Sequence, residues 1–165
     1  MPFGRPRRLD AFDYAGVHRY HVRIATWNRV RHFADREVAC MVRERLLTCA
    51  ATYDLAIHAY CFMPDHVHLL VEGLTDTADC KRFISAAKQY SGYSFAQREH
   101  QKLWQRYSYE HALRDDFERS TTIRYILDNP VTAGLVSQPS NYPFLGSQRY
   151  SIEELLQQAS PSSSG

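Results

Sequence analysis

Four residues in this sequence, His66, His68, Tyr125 and Asn129, have the types and spacing that could do chemistry. The run Met63-Pro64-Asp65-His66-Val67-His68-Leu69-Leu70-Val71 reads as a buried strand. Alternate residues of a strand face the same way, so His66 and His68 project together while Val67, Leu69 and Val71 pack on the other side. Two imidazoles side by side on a rigid strand make half of a metal site. The same pattern fits two satisfied polar residues at a sheet edge, and the triplet alone leaves both readings open. On a helical wheel, Ile123, Ile126 and Leu127 cluster on one side of a segment starting at Asp116, and Glu118, Thr121, Thr122, Tyr125 and Asn129 on the other. A tyrosine serving only the core belongs among the isoleucines. Tyr125 instead sits on the polar face, with an amide one turn later on the same stripe. A surface tyrosine making one hydrogen bond has this pattern too.

These side chains need elements to hold them. The alternation from His18 to Trp27 predicts a first strand with Tyr20, Val22 and Ile24 on one face. Asp35 is placed to cap a helix running to about Ala51, with Val38, Val42, Leu46 and Cys49 as its apolar stripe. Asp54 to Phe62 reads as a second strand with Leu55, Ile57, Ala59 and Cys61 on one face, and Met63-Pro64-Asp65 as the turn into the histidine strand, which ends at Gly73. A second helix is expected from a cap at 77–79 to about Ala96, with Phe83, Ile84, Ala87 and Tyr90 inward. A short strand follows over 108–114. Asp115 and Glu118 suggest a capping box for the tyrosine helix, which Asn129-Pro130 is expected to end. A short helix is expected over 152–158. Strand, helix, strand, strand, helix, strand predicts an α+β fold: a ferredoxin-like antiparallel sheet with helices packed on one face.

The chain of 165 residues is 44% hydrophobic and 23% charged, which suits one soluble domain. No stretch approaches the ~20 apolar residues that span a bilayer, so no membrane partner is expected. The basic start has no apolar run behind it, and the expected location is cytoplasmic. Cys40, Cys49, Cys61 and Cys80 show no Cys-x-x-Cys spacing and read as small core residues. Residues 1–36 hold eight arginines against three aspartates, and the remainder is nearly balanced. The expected division is a basic arm over 1–17, one folded domain over 18–147 and a partly disordered tail over 148–165. A basic arm suits a polyanionic partner or a solvated tail equally. Eleven tyrosines tilt the reading towards nucleic acid, since exposed rings stack on unpaired bases.

Four blocks in this order, His66-Val67-His68 after Met63-Pro64-Asp65, Leu103-Trp104-Gln105-Arg106, Tyr109-Glu110-His111-Ala112-Leu113-Arg114, and Tyr125 through Val136, resemble the REP-associated tyrosine transposases. These belong to the single-strand nucleases named for a His-hydrophobic-His (HUH) triplet. The resemblance implies a sheet with the His-x-His strand near its centre and the tyrosine helix laid across it. It implies Tyr125 as nucleophile, forming a 5′-phosphotyrosine, and His66, His68 and Asn129 as ligands of Mg²⁺ or Mn²⁺. The implied substrate is single-stranded or hairpin DNA, cut and rejoined by a monomer or homodimer. Arg5, Arg7, Arg8, Arg29, Arg31, Lys81, Arg82 and Lys88 are the candidate phosphate contacts. A non-catalytic hairpin-binding regulator and a replication-initiator nuclease are the alternatives.

Overall fold

The chain, in the form of a computed structural model, is described for residues 15–159. Its strands are β1 (Arg19–Ala25), β2 (Leu55–Met63), β3 (His66–Gly73), β4 (Tyr109–Leu113) and β5 (Leu145–Gly146). Its helices are α1 (Arg36–Thr52), α2 (Cys80–Glu99), α3 (Asp116–Thr132) and α4 (Ile152–Ala159). The sheet order is β4-β1-β3-β2-β5 and every pairing is antiparallel, so the His-x-His strand β3 is central, as expected.

Alternation decides which side chain goes where. Tyr20, Val22 and Ile24 of β1 join Val67, Leu69 and Val71 of β3 in one core with Val38, Val42 and Leu46 of α1 and Phe83, Ala87 and Phe95 of α2. Asp35 caps α1, accepting from Glu37 N at 2.9 Å, and Asp79 caps α2, accepting from Arg82 N at 3.0 Å. Helices α1 and α2 thus lie on one face, as expected. Helices α3 and α4 do not: Ile123, Ile126, Leu127 and Leu155 pack on the opposite face against Leu70, Ala59 and Cys61. The expected layer of helices is thus α1 and α2, and the tyrosine helix lies across the sheet on its other face. That helix covers the face from which the histidines project.

Three local expectations change for identifiable reasons. The pairing of β2 with β3 shifts register between Ile57 and Ala59, a bulge at His58. Leu55 and Ile57 therefore join the α1/α2 core, whereas Ala59 and Cys61 face α3. Tyr90 is exposed, and the inward stripe of α2 continues through Ser91, whose Oγ accepts from Trp104 Nε1 at 2.8 Å. Helix α3 runs through Pro130 to Thr132. Near a helix end the missing N–H of proline costs one bond, and the stop lies at Gly134. There φ is +76°, and Leu135 N donates to Pro130 O at 2.9 Å and Gly134 N to Val131 O at 3.0 Å. Of the cysteines, Cys49, Cys61 and Cys80 are buried and Cys40 is half-buried. Among the described residues, no helix is long and apolar enough to cross a membrane.

One glycine fastens the entry of the chain to the end of β3. Gly73 N donates to His18 O at 2.9 Å, and a Cβ on Gly73 would lie 2.0 Å from the carbonyl oxygen of Gly16. Gly73→Ala must push that backbone away, and a urea titration should show a loss of about 2 kcal/mol, in the range of other overpacked sites.

Candidate active site

The site is built on the sheet face that α3 covers. Antiparallel register sets Arg23 of β1 directly opposite both His68 of β3 and Tyr109 of β4, and Ala25 opposite His66. His21, two residues before Arg23, is diagonal to His68, within reach of a side chain on the same face. Across this row lies α3. Its N-terminus is set by Asp115, which accepts from Glu118 N at 2.8 Å, while the Glu118 carboxylate accepts from Arg114 N at 2.6 Å. The return bond of the expected capping box thus reaches one residue earlier than Asp115. Docking of Ile123, Ile126 and Leu127 then turns Tyr125 and Asn129 towards His68 on the central strand.

His66, His68, Tyr125 and Asn129 come together. The rings of His66 and His68 are 4.9 Å apart, and the Tyr125 ring stands edge-on to His68 at 5.2 Å and to His21 at 5.8 Å. Asn129 Nδ2 lies 3.0 Å from His68 Nε2, and His21 Nε2 lies 3.0 Å from His68 Nδ1. These contacts link the tautomer of His68 to the orientation of the Asn129 amide. If the amide donates to Nε2, the proton of neutral His68 sits on Nδ1 and is donated to His21. His66 is oriented from behind in the same way, its Nδ1 2.7 Å from Asp65 Oδ1. The other oxygen of Asp65 accepts from Arg29 Nε at 3.0 Å.

Burial keeps the imidazoles neutral. It pushes the His68 pKa down to about 2, helped by the neighbouring His21 and His66, and that of His21 down to about 4, helped by Arg23. His66 is lowered by burial as well, although Asp65 opposes this. Burial works against the charge of Asp65, but the His66 hydrogen bond and Arg29 outweigh it and leave its pKa below the usual carboxylate range. Neutral imidazoles with an oriented Nδ1, beside an amide that also carries an oxygen donor, are a donor set that fits a divalent cation. No group of three or more His, Cys, Asp or Glu with metal-site geometry occurs among the described residues, so such a set depends on Asn129.

Beside these groups is an open cavity of about 420 Å³ lined by His21, Arg23, Tyr109, Thr121, Thr122 and Tyr125. Tyr125 is 50% exposed there, so its hydroxyl is open to a ligand from solvent. His21, Arg23 and Tyr109 do not stand out in the sequence. The signal available is alternation: with Tyr20 and Val22 inward, His21 and Arg23 must share the other face. Which strand they adjoin is set by the order of the sheet. The candidate phosphate contacts disperse. Arg29 adjoins the site through Asp65, and Arg31 is exposed. Lys81, Arg82 and Lys88 lie on α2, on the far side of the sheet, and Lys88 Nζ is committed to Gln105 O at 2.9 Å and Arg106 O at 2.8 Å. Arg5, Arg7 and Arg8, with most of the basic arm, lie outside the described residues.

The known proteins that this chain resembles fall in one class, the transposases. The "Transposase IS200 like" family model matches residues 15–129, well over half of the chain, and the chain belongs to that family. It is 27% identical over 135 residues to the REP-associated tyrosine transposase of Escherichia coli, covering 76% of this chain and 78% of that one. A Haemophilus influenzae protein provisionally given the same name is 28% identical over 104 residues, 56% of this chain, and the match spans 58% of that protein's length. The fold matches a solved REP-associated tyrosine transposase bound to a REP hairpin, with a TM-score of 0.72 at 21% identity, over 84% of this chain and 82% of that one.

Proposed function

We propose that the chain cuts and rejoins single-stranded DNA beside a hairpin, through a covalent 5′-phosphotyrosine on Tyr125. The observation that carries this reading is the half-exposed Tyr125 ring packed edge-on to the buried His68. In the forward step Tyr125 Oη forms a bond to phosphorus and gives up its proton to solvent. The bond from phosphorus to the 3′-oxygen breaks, and that oxygen takes up a proton to leave as a hydroxyl. The phosphodiester is exchanged rather than hydrolysed, so a 3′-hydroxyl can reverse the step and join strands without ATP.

His66, His68 and Asn129 would hold the divalent cation, Mg²⁺ or Mn²⁺. Bound there, it would offset the charge of the scissile phosphate, and the three neutral ligands would leave its own charge undiminished for that purpose. The chain's other residues orient and screen. Asp65 and His21 hold the two imidazoles by their Nδ1 atoms. Arg23, with its guanidinium carbon 5.5 Å from the centre of the Tyr109 ring, presents a cation at the cavity wall. Arg29 and Arg31 suit phosphates further along the strand. A paired, stacked strand cannot bring its phosphate onto a tyrosine in so shallow a cavity, which favours an unpaired substrate; the hairpin is carried over from the solved relative's ligand.

The test is a hairpin oligonucleotide with an unpaired flank, incubated with the protein and Mn²⁺. A species should survive denaturation, and peptide mass spectrometry should place the nucleotide on Tyr125. An adduct on Tyr107 or Tyr109, or none with any divalent metal, overturns the reading, and the latter favours a regulator that binds without cutting. His21 supplies a second check. His21→Ala leaves the buried Nδ1–H of His68 without its acceptor, and loss of such an outer partner typically costs 10–100-fold in metal affinity or activity. A calorimetric Mn²⁺ titration of His21→Ala should show weakening of about that size.

A further inference from the structure

On the face of the sheet away from Tyr125 a second cleft runs between α2 and the segment 101–108. Two adjoining cavities of about 310 and 410 Å³ make it up, and they share Lys88 and Arg106. Lys81, Arg82, Lys102 and Arg106 also line it, and Glu110 is the one acid among its lining residues. The cleft is built rather than incidental. Lys88 spans its floor from α2 to the carbonyls of Gln105 and Arg106, and Trp104 is bonded to the buried Ser91 beneath it. One lysine side chain therefore ties α2 to the segment 101–108 at the floor of the cleft.

The exposed ring of Tyr107 lines the cleft, 5.2 Å from the Arg106 guanidinium carbon, and the exposed ring of Trp27 stands against its Lys102, whose Nζ is 4.1 Å from the ring centre. Cations paired with exposed rings along an open cleft suit the phosphates and bases of an unpaired strand. Lys81 and Arg82 stand in the first turn of α2, where Asp79 takes the Arg82 N–H, and the two cations and the positive end of the helix dipole favour a further anion. The cleft also adjoins the candidate active site. Consecutive residues of β4 point to opposite faces: Tyr109 lines the Tyr125 cavity and Glu110 lines the cleft. Strand β4 is at the edge of the sheet, so only its thickness separates the two.

We infer that this cleft binds the unpaired DNA flank after it passes around the β4 edge from Tyr125, setting the length of single strand that the protein reads. The inference rests on the function proposed above. Its test uses the full-length chain in chelator and labelled hairpins with an unpaired flank of about 3 or about 12 nucleotides, with affinity read by fluorescence anisotropy across a salt series. The longer flank should bind more tightly. In the double variant Lys102→Ala/Arg106→Ala that gain should vanish, and the salt slope for the longer flank should fall by roughly 0.7 for each phosphate no longer neutralised. Equal weakening with both flanks, no weakening with either, or equal affinity when the long flank is made double-stranded overturns the cleft. Adduct formation on Tyr125 with the short flank is scored in parallel. An adduct without flank dependence overturns the cleft alone, and flank dependence without an adduct overturns the catalytic reading alone.

Discussion

Tyr125→Phe should bind hairpin DNA nearly as well as the unaltered protein and form no covalent adduct. The substitution removes one oxygen and keeps the ring that stands against His68 and His21. Half of Tyr125 is exposed, so little packing depends on the hydroxyl, and a urea titration should move by no more than about 0.5 kcal/mol, as for other surface changes. Activity should respond on another scale. Removing a nucleophile whose role no neighbour can take over costs on the order of 10⁴ to 10⁶ in rate. The separation between unchanged binding and lost cleavage is what identifies a nucleophile, since a tyrosine that only stacked on a base would lose neither. Cutting by Tyr125→Phe at the unaltered rate would remove Tyr125 from the mechanism.

The second large effect is expected at His66. Its ring is held by Asp65 at 2.7 Å, and Asp65 is itself held by Arg29 at 3.0 Å, so Nε2 is the nitrogen left for a ligand. His66→Ala should reduce Mn²⁺ affinity by more than about 100-fold, because even the loss of an outer partner costs 10–100-fold. Asp65→Asn makes the comparison informative. The amide keeps a hydrogen-bonding atom near Nδ1 but loses the charge, so the fall should lie between those of His66→Ala and the unaltered chain. The His66 side chain is only partly buried, and circular dichroism should show the fold of His66→Ala intact. A Mn²⁺ isotherm unchanged by His66→Ala would exclude this histidine from the metal site, whatever happened to cleavage.

How much of the protein is legible in its sequence follows from the range of each interaction. The faces of β1 and β3, the caps at Asp35 and Asp115, and the pairing of Tyr125 with Asn129 on one stripe repeat every two or four residues. Backbone geometry over a few bonds decides them, and the alternation of the chain displays it. His66 and His68 therefore share a face in any fold that keeps the strand. The resemblance to REP-associated tyrosine transposases supplies the class from four short blocks, and the matching family model and solved fold agree with it.

Other features require the sheet to close. The bulge at His58 swaps the faces of β2 because one extra residue changes the parity of everything after it, and no local pattern marks where that residue falls. Asn129-Pro130 predicts a stop, but the last turn of α3 is completed through Gly134, whose left-handed backbone supplies the closing bonds. Helix α3 covers the face opposite α1 and α2 because Ala59, Cys61 and Leu70 leave an apolar surface there, which exists only once β2 and β3 are paired. His21 reaches His68 from 47 residues away, and Asn129 reaches it from 61. Periodicity put each of these side chains on a face. Strand order and register, set by burial across the whole sheet, brought them to one imidazole.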